Sequence, residues 1–262
     1  ADHPLISTCF VPHSTAALGD ESFTRLRVLA DQLDVRVQIH LHESATEITA
    51  SLRDTGKRPF ERLEALGLVN SSLLAVHAVH MTNAEIKRFA EAGVDIAHCP
   101  RSNLKLASGI APVASFLDAG VNVALGTDGA ASNNVLDVLA EIRLAALLTK
   151  ASSGNAAALP AATALRMGTL GGAIALGLGQ ITGSIEPGKW ADLACVDLGR
   201  VNSQPVYDVT SQLVYAAHAD QVTDVWIAGK HQLDNGQLAH INMDSLFERS
   251  NEWRDRIAVK ND

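Results

Sequence analysis

Five residues able to bind a metal or move a proton recur along the first half of the chain, and each closes a short apolar run: His13, His40, His77, His98 and Asp128. A further carboxylate, Glu43, stands three residues beyond His40. Neutral imidazoles with a carboxylate suit a borderline divalent ion such as zinc. Such an ion with an open coordination position lowers the pKa of a bound water toward ~7. A nearby carboxylate that is not a ligand can then shuttle protons. The pattern therefore points to metal-assisted hydrolysis. Taken singly, each residue has an ordinary explanation. Glu43 fits the positive end of a helix, His98 fits a loop before Cys99 and Pro100, and Asp128 fits a turn before Gly129. His42 reads as a packing residue and His80 as a solvated or supporting one. Imidazole or carboxylate at five successive run ends is a constellation that these separate explanations do not produce.

The elements that must position these residues read as alternating strands and helices. Strand-like runs fall at 5–11, 35–40, 73–77, 94–98 and 121–125. Helical stretches fall at 21–33, 43–54, 59–66, 83–92, 111–119 and 135–150. Asp20 is a candidate N-cap, and Gly93 and Gly120 are stop signals. Nearly all-apolar strands alternating with helices predict a parallel α/β sheet with both faces covered. The carboxyl ends of such strands are where chemistry is placed. After Gly154 the texture changes. Residues 156–178 are rich in Ala and Gly and predict two short helices. Beyond them lie β-like segments at 184–186, 191–196, 222–228 and 230–233, with turn signals at Pro187-Gly188 and Asn235-Gly236. A closing helix is predicted at 244–257.

Composition narrows the function classes. The chain has 262 residues, 47% hydrophobic and 19% charged, as expected of an ordered globular chain. Its formal charge of −8, with no dense Lys/Arg cluster, argues against nucleic-acid binding. No apolar run reaches the length of a membrane span, so no membrane partner is expected. The three cysteines, Cys9, Cys99 and Cys195, are too scattered for a disulfide framework. With no secretory signal, they suit a reducing, cytoplasmic setting.

Several runs resemble amidohydrolase-superfamily deaminases. Ile39-His40-Leu41-His42-Glu43 is similar to that superfamily's fifth-strand His-x-x-Glu motif, and Val76 to His80 to its sixth-strand histidine motif. The runs from His98 to Leu106 and from Leu125 to Asn134 are more specific. They resemble 5′-methylthioadenosine/S-adenosylhomocysteine deaminases and the related triazine hydrolases. The run from Gly183 to Leu193 resembles the superfamily's return into a β-sandwich. The resemblance implies an α/β fold: strands four to eight of a (β/α)8 TIM-type barrel over residues 1–178, then the C-terminal part of a small β-sandwich over 179–262. It implies one divalent metal, usually zinc, with His40 and Asp128 as ligands and Asp128 also catalytic. Glu43 would shuttle a proton to a purine ring. His77 would hydrogen-bond the attacking hydroxide or serve as a further ligand, and His13 and Ser132 would contact the nucleoside. The implied reaction is hydrolytic deamination at C6 of an adenine nucleoside.

Two departures accompany the resemblance. The family's first-strand His-x-His pair is absent; His40 and His42 cannot stand in for it, because only four strand-like runs fit from His40 to Asp128 at roughly 30 residues per unit. After Pro12-His13-Ser14 the chain reads Thr15-Ala16-Ala17-Leu18 where family members often have Pro-Tyr. With a start at Ala1, these features lead to the expectation of a C-terminal portion that associates with itself or with a complementary N-terminal fragment. An s-triazine hydrolase, a guanine-type deaminase, and a catalytically incomplete fragment that only binds a partner or nucleoside are the competing readings. The absence of the His-x-Glu and Pro-Cys-x-x-Cys signature argues against a cytidine-deaminase site.

Overall fold

The structure is a computed structural model that describes residues 3–258. Four strands, β1 (Val37–Leu41), β2 (Leu73–His77), β3 (Asp95–His98) and β4 (Val123–Leu125), form one parallel sheet in that order. Side chains alternate across it with the period of two that strands impose. Ile39, Leu41, Leu73, Ala75, Ile96 and Val123 enter the main core. They meet Phe23 of helix Asp20–Leu33, Phe89 of Asn83–Ala92, Phe116 of Val113–Asp118 and Ile142 of Val138–Ser153. Phe23, Phe89 and Phe116 are completely buried, which contributes roughly 1.5–3 kcal/mol for each side chain. On the opposite face Gln38, His40, Leu74, Val76, Ala97 and Ala124 line a cavity of about 220 Å³.

Local sequence signals explain most helix ends. Thr82 caps helix Asn83–Ala92 by accepting the N–H of Glu85, while Glu85 reaches back to the N–H of Thr82. Gly93 closes it at φ 70°, a left-handed conformation that a Cβ would strain. Asp20 is not the N-cap of its helix. Gly19 occupies that position, and the Asp20 carboxylate instead accepts a bond of 2.7 Å from Arg62.

The strand expected at 5–11 does not form. This segment runs along the free edge of β1 and touches the sheet only at the bridges Phe10–Val37 and Ser14–His40. It has one neighbouring strand, Pro12 offers no N–H, and Leu5, Ile6 and Val11 stay exposed. Helix Pro100–Lys105, directly after β3, was not expected. The 156–178 region forms one helical run, Ala161–Arg166 and Gly172–Ala175 joined by a π-helical turn, Met167–Gly171. A Cβ on Gly168 would stand 2.5 Å from Ile142, so close packing on helix Val138–Ser153 requires glycine here.

The remaining strands, β5 (Leu193–Val196), β6 (Val222–Ile227), β7 (Lys230–Asp234) and β8 (Gln237–Leu238), make an antiparallel sheet. Residues 184–186, expected as β, form no strand. Helix Val209–Tyr215 is absent from the sequence expectation. It places Val214 in the main core, and Arg143 holds the Val214 carbonyl at 3.1 Å. The closing helix Met243–Ala258 has no buried residue. No helix among the described residues is long and apolar enough to cross a membrane.

Beneath the sheet edge, His42 is fully buried and accepts the Phe60 N–H at Nε2, 3.1 Å away. Its other nitrogen lies 3.8 Å from Glu85, which takes bonds of 2.7 and 3.0 Å from Arg58. Burial lowers the imidazole pKa from 6.5 to about 4; Glu85 opposes this, and Arg58 adds to it. The folded pKa lies below the unfolded one, so the stabilisation is fully present above pH 6.5 and is lost as pH falls toward 4. That shift corresponds to about 3 kcal/mol. His98, whose pKa burial lowers to about 3, acts in the same direction. Urea unfolding of the metal-free chain between pH 7 and 4.5 is expected to show falling stability, with a shallower slope in His42→Gln. An unchanged slope in that variant would show that His42 is not the titrating group.

Candidate metal centre

Parallel pairing brings the strand ends to one rim. Leu41 pairs with His77, and His98 pairs with Leu125. His40 thus lies one residue before the end of β1, His77 ends β2, and Asp128 follows β4 by three residues. His42, His77 and Asp128 hold φ of 53°, 73° and 60°. Left-handed backbone at three non-glycine residues along one rim is stored strain of the kind that clusters at functional sites.

His40, His77 and Asp128 each offer a ligand atom, and these atoms lie within 4.8 Å of one another. In each residue another polar atom is tied down from outside. His40 donates from Nδ1 to the His13 carbonyl at 2.5 Å. His77 Nδ1 meets Asn103 Oδ1 at 2.8 Å. Asp128 Oδ2 accepts the hydroxyls of Ser102 at 2.6 Å and Ser132 at 2.7 Å. Those bonds occupy Nδ1 of each imidazole and Oδ2 of the carboxylate. Outer hydrogen bonds that orient each ligand are the usual support of a metal site, so this donor set fits a divalent ion.

The electrostatics agree. His77 has its pKa lowered, first by burial and then by His40, against the opposing pull of Glu43, Asn103 and Asp128. Burial would raise the Asp128 pKa, but the bonds from Ser102, Ser132 and the Gly129 N–H outweigh it and the net shift is downward. Neutral imidazole and ionised carboxylate are the ligand forms. Glu43 Oε2 stands 3.8 Å from His77 Nε2, and Glu43 Oε1 lies 3.4 Å from the Ser108 hydroxyl. The Glu43 N–H is held by Glu47 at 2.8 Å. Glu43 therefore stands beside His77 and outside the group formed by His40, His77 and Asp128.

The remaining sequence candidates fall as follows. His13 is exposed, with its ring 4.7 Å from that of His40. Ser132 is at the rim, bonded to Asp128. His98 is buried, its Nδ1 without a hydrogen-bond partner, and does not join the three ligand residues. His80 bonds the Ser108 carbonyl at 2.8 Å. Cys99 is buried, which pushes its thiol pKa up. A second cluster, Asp224, His231 and Asp234, lies on β6 and β7. There His231 Nε2 is bonded to Asp224 at 3.0 Å and the ring stacks on Trp226, as in a structural pair. Sequence reasoning missed Ser102, Asn103 and Ser108. The first two lie inside the run from His98 to Leu106, but their partners are 26 residues away, beyond the reach of local periodicity.

Comparison with known proteins adds to this geometry. The sequence profile of the amidohydrolase family matches residues 4–231. A 5-methylthioadenosine/S-adenosylhomocysteine deaminase of Teredinibacter turnerae is 43% identical over 98% of this chain and 58% of its own length. An adenosine deaminase from Xanthomonas campestris, solved with bound zinc, superposes with a TM-score of 0.97 at 53% identity, over 98% of this chain and 59% of that one. Atrazine chlorohydrolase from Arthrobacter aurescens TC1, also with zinc, gives a TM-score of 0.88 at 31% identity, over 92% of this chain and 53% of that one. The chain thus spans little more than half the length of the relatives it matches.

Replacing Ser102 with Ala removes one of the two side-chain bonds holding Asp128 Oδ2. Zinc affinity of the chain, measured by competition with a chelator, is expected to fall ~10–100-fold. Wild-type affinity in that variant would show that the Ser102 bond does not orient the ligand.

Proposed function

The chain belongs to the amidohydrolase family, and from that premise we propose that it acts in hydrolytic deamination of an adenine nucleoside of the methylthioadenosine or adenosylhomocysteine type. The observation that carries this reading is the set of ligand atoms on His40, His77 and Asp128 with the Glu43 carboxylate beside His77. The names of the relatives support the substrate class. A divalent ion, zinc by the chemistry of two imidazoles and a carboxylate, supplies Lewis acidity and brings the pKa of a water near neutrality.

The chain's own groups do the rest. Glu43 takes a proton from the attacking water and delivers it to the purine ring nitrogen next to C6. Protonating that nitrogen lets the ring accept the electron pair that arrives with the oxygen at C6. Transfer of the second water proton to the exocyclic amine makes it a leaving group, and ammonia departs to give the inosine analogue. His77 presents Nε2 to the same centre, and its bond to Asn103 fixes the ring. His13 and Ser132 flank the ligands, in positions to contact the nucleoside.

The same reading extends to the fold. β1 to β4, with the edge segment beside β1, correspond to strands four to eight of a barrel within residues 1–178, and 179–262 correspond to the later part of a β-sandwich. The sheet face lined by Leu74, Val76, Ala97 and Ala124 bounds an open cavity, which fits association with a second copy or a complementary segment. The exposed free thiols Cys9 and Cys195 suit a reducing cytoplasm. Triazine hydrolysis is the second reading, supported by the 0.88 TM-score to atrazine chlorohydrolase.

Ammonia release from methylthioadenosine, adenosylhomocysteine, guanine and an s-triazine separates these readings, with turnover of the two adenine nucleosides expected. Glu43→Gln is expected to lower kcat by ~10²–10⁴-fold with zinc content unchanged; near-normal turnover would overturn the assignment. A zinc-loaded chain inert on all four substrates would favour a binding role. Light scattering is expected to report a mass above 27.7 kDa. A monomer that unfolds in one cooperative step would count against association.

A further inference from the structure

Among the described residues, one completely buried carboxylate belongs neither to the candidate centre nor to any sequence motif discussed above. Glu141, on helix Val138–Ser153, has no exposed surface. Its Oε2 accepts the backbone N–H of Arg101 at 3.1 Å, and its Oε1 accepts the Asn133 amide at 2.8 Å. The Arg101 guanidinium stands 3.4 Å from Oε1. The Asn133 amide, also buried, donates to the Thr127 carbonyl at 2.6 Å, one residue before Asp128. Glu141 therefore ties together helix Pro100–Lys105, which carries Ser102, and the turn Ala130–Asn133, which carries Ser132. Those two serines hold Asp128 Oδ2. Lys105 Nζ also links the two segments, to the Ala131 carbonyl and to Asn134 Oδ1, but at the exposed surface.

The chemistry at Glu141 is specific. Both of its close partners are donors, so the site needs a side chain that only accepts. A glutamine of the same shape would turn an NH₂ toward one of those donors and leave it without an acceptor in a buried setting, where an unmade hydrogen bond is costly.

We propose that Glu141 is a positioning residue for Asp128, acting through Arg101 and Asn133 to fix the two loops whose serines aim the carboxylate. The proposal rests on reading Asp128 as a ligand, and two readouts keep the two ideas apart. In the zinc-free 262-residue chain, Glu141→Gln is expected to speed amide hydrogen exchange at 127–134 by about ten-fold, with β2 exchanging as in wild type. In the zinc titration, the same variant is expected to bind ~10–100-fold more weakly. Asn133→Ala cuts the same link from the other side, stays informative if Glu141→Gln fails to fold, and is expected to give the same local pattern. Exchange at 127–134 at the wild-type rate, or equal acceleration throughout the chain, would overturn the proposal. A wild-type chain that binds no zinc would overturn the metal reading alone, and the exchange data would still decide the role of Glu141.

Discussion

Parallel pairing of four short strands is the constraint on which the site depends. A parallel sheet carries every strand end to the same edge. The register that sets Leu41 against His77 and His98 against Leu125 leaves no freedom in where the strand-end side chains emerge. Pairing fixes the backbone, and alternation then decides which face each residue serves. His40 shares its face with Gln38, away from the core that takes Ile39 and Leu41. A one-residue slip of β1 would send the imidazole into that core.

Burial then sets the chemical state of what the rim holds. An imidazole removed from water resists protonation, and His42, His77 and His98 all have lowered pKa values with burial as the first cause. Asp128 stays ionised in the same neighbourhood because two hydroxyls and a backbone N–H reach it. Burial disfavours the charged form of each group, and at Asp128 the donors supplied outweigh it. Left-handed backbone at His77 and Asp128 adds a cost that the surrounding hydrogen bonds must offset.

Much of this was legible in the residues. The apolar run at 73–77 and the helical stretch at 83–92, stopped by Gly93, fall at the residues where β2 and helix Asn83–Ala92 occur. Coincidence of His and Asp at the ends of such runs picked out His40, His77 and Asp128. The failures have a common cause. The 5–11 run has strand-like residues, but it has one neighbour and few ladder bonds, so composition alone misjudged it. Helix Val209–Tyr215 owes its place to packing against helices far away in sequence, which no local window detects. Ser102, Asn103 and Glu141 are ordinary residues until the fold sets them against partners 26 to 40 residues away.

What the sequence by itself determined was the alternation of strand and helix and the types of residue at the strand ends, because hydrophobic period and turn chemistry are local properties. It also carried, through the runs from His98 to Leu106 and from Leu125 to Asn134, the family to which the chain belongs. Only the tertiary structure decided which of five candidate residues share a centre. It kept His40, His77 and Asp128 together and left His98 outside that group, its Nδ1 without a hydrogen-bond partner. It also set the bonds that His13, Asn103 and Ser102 make to these side chains from segments 26 or 27 residues away in sequence. That selection depends on distances of a few ångströms between segments that the chain order separates, and only folding brings those segments within reach.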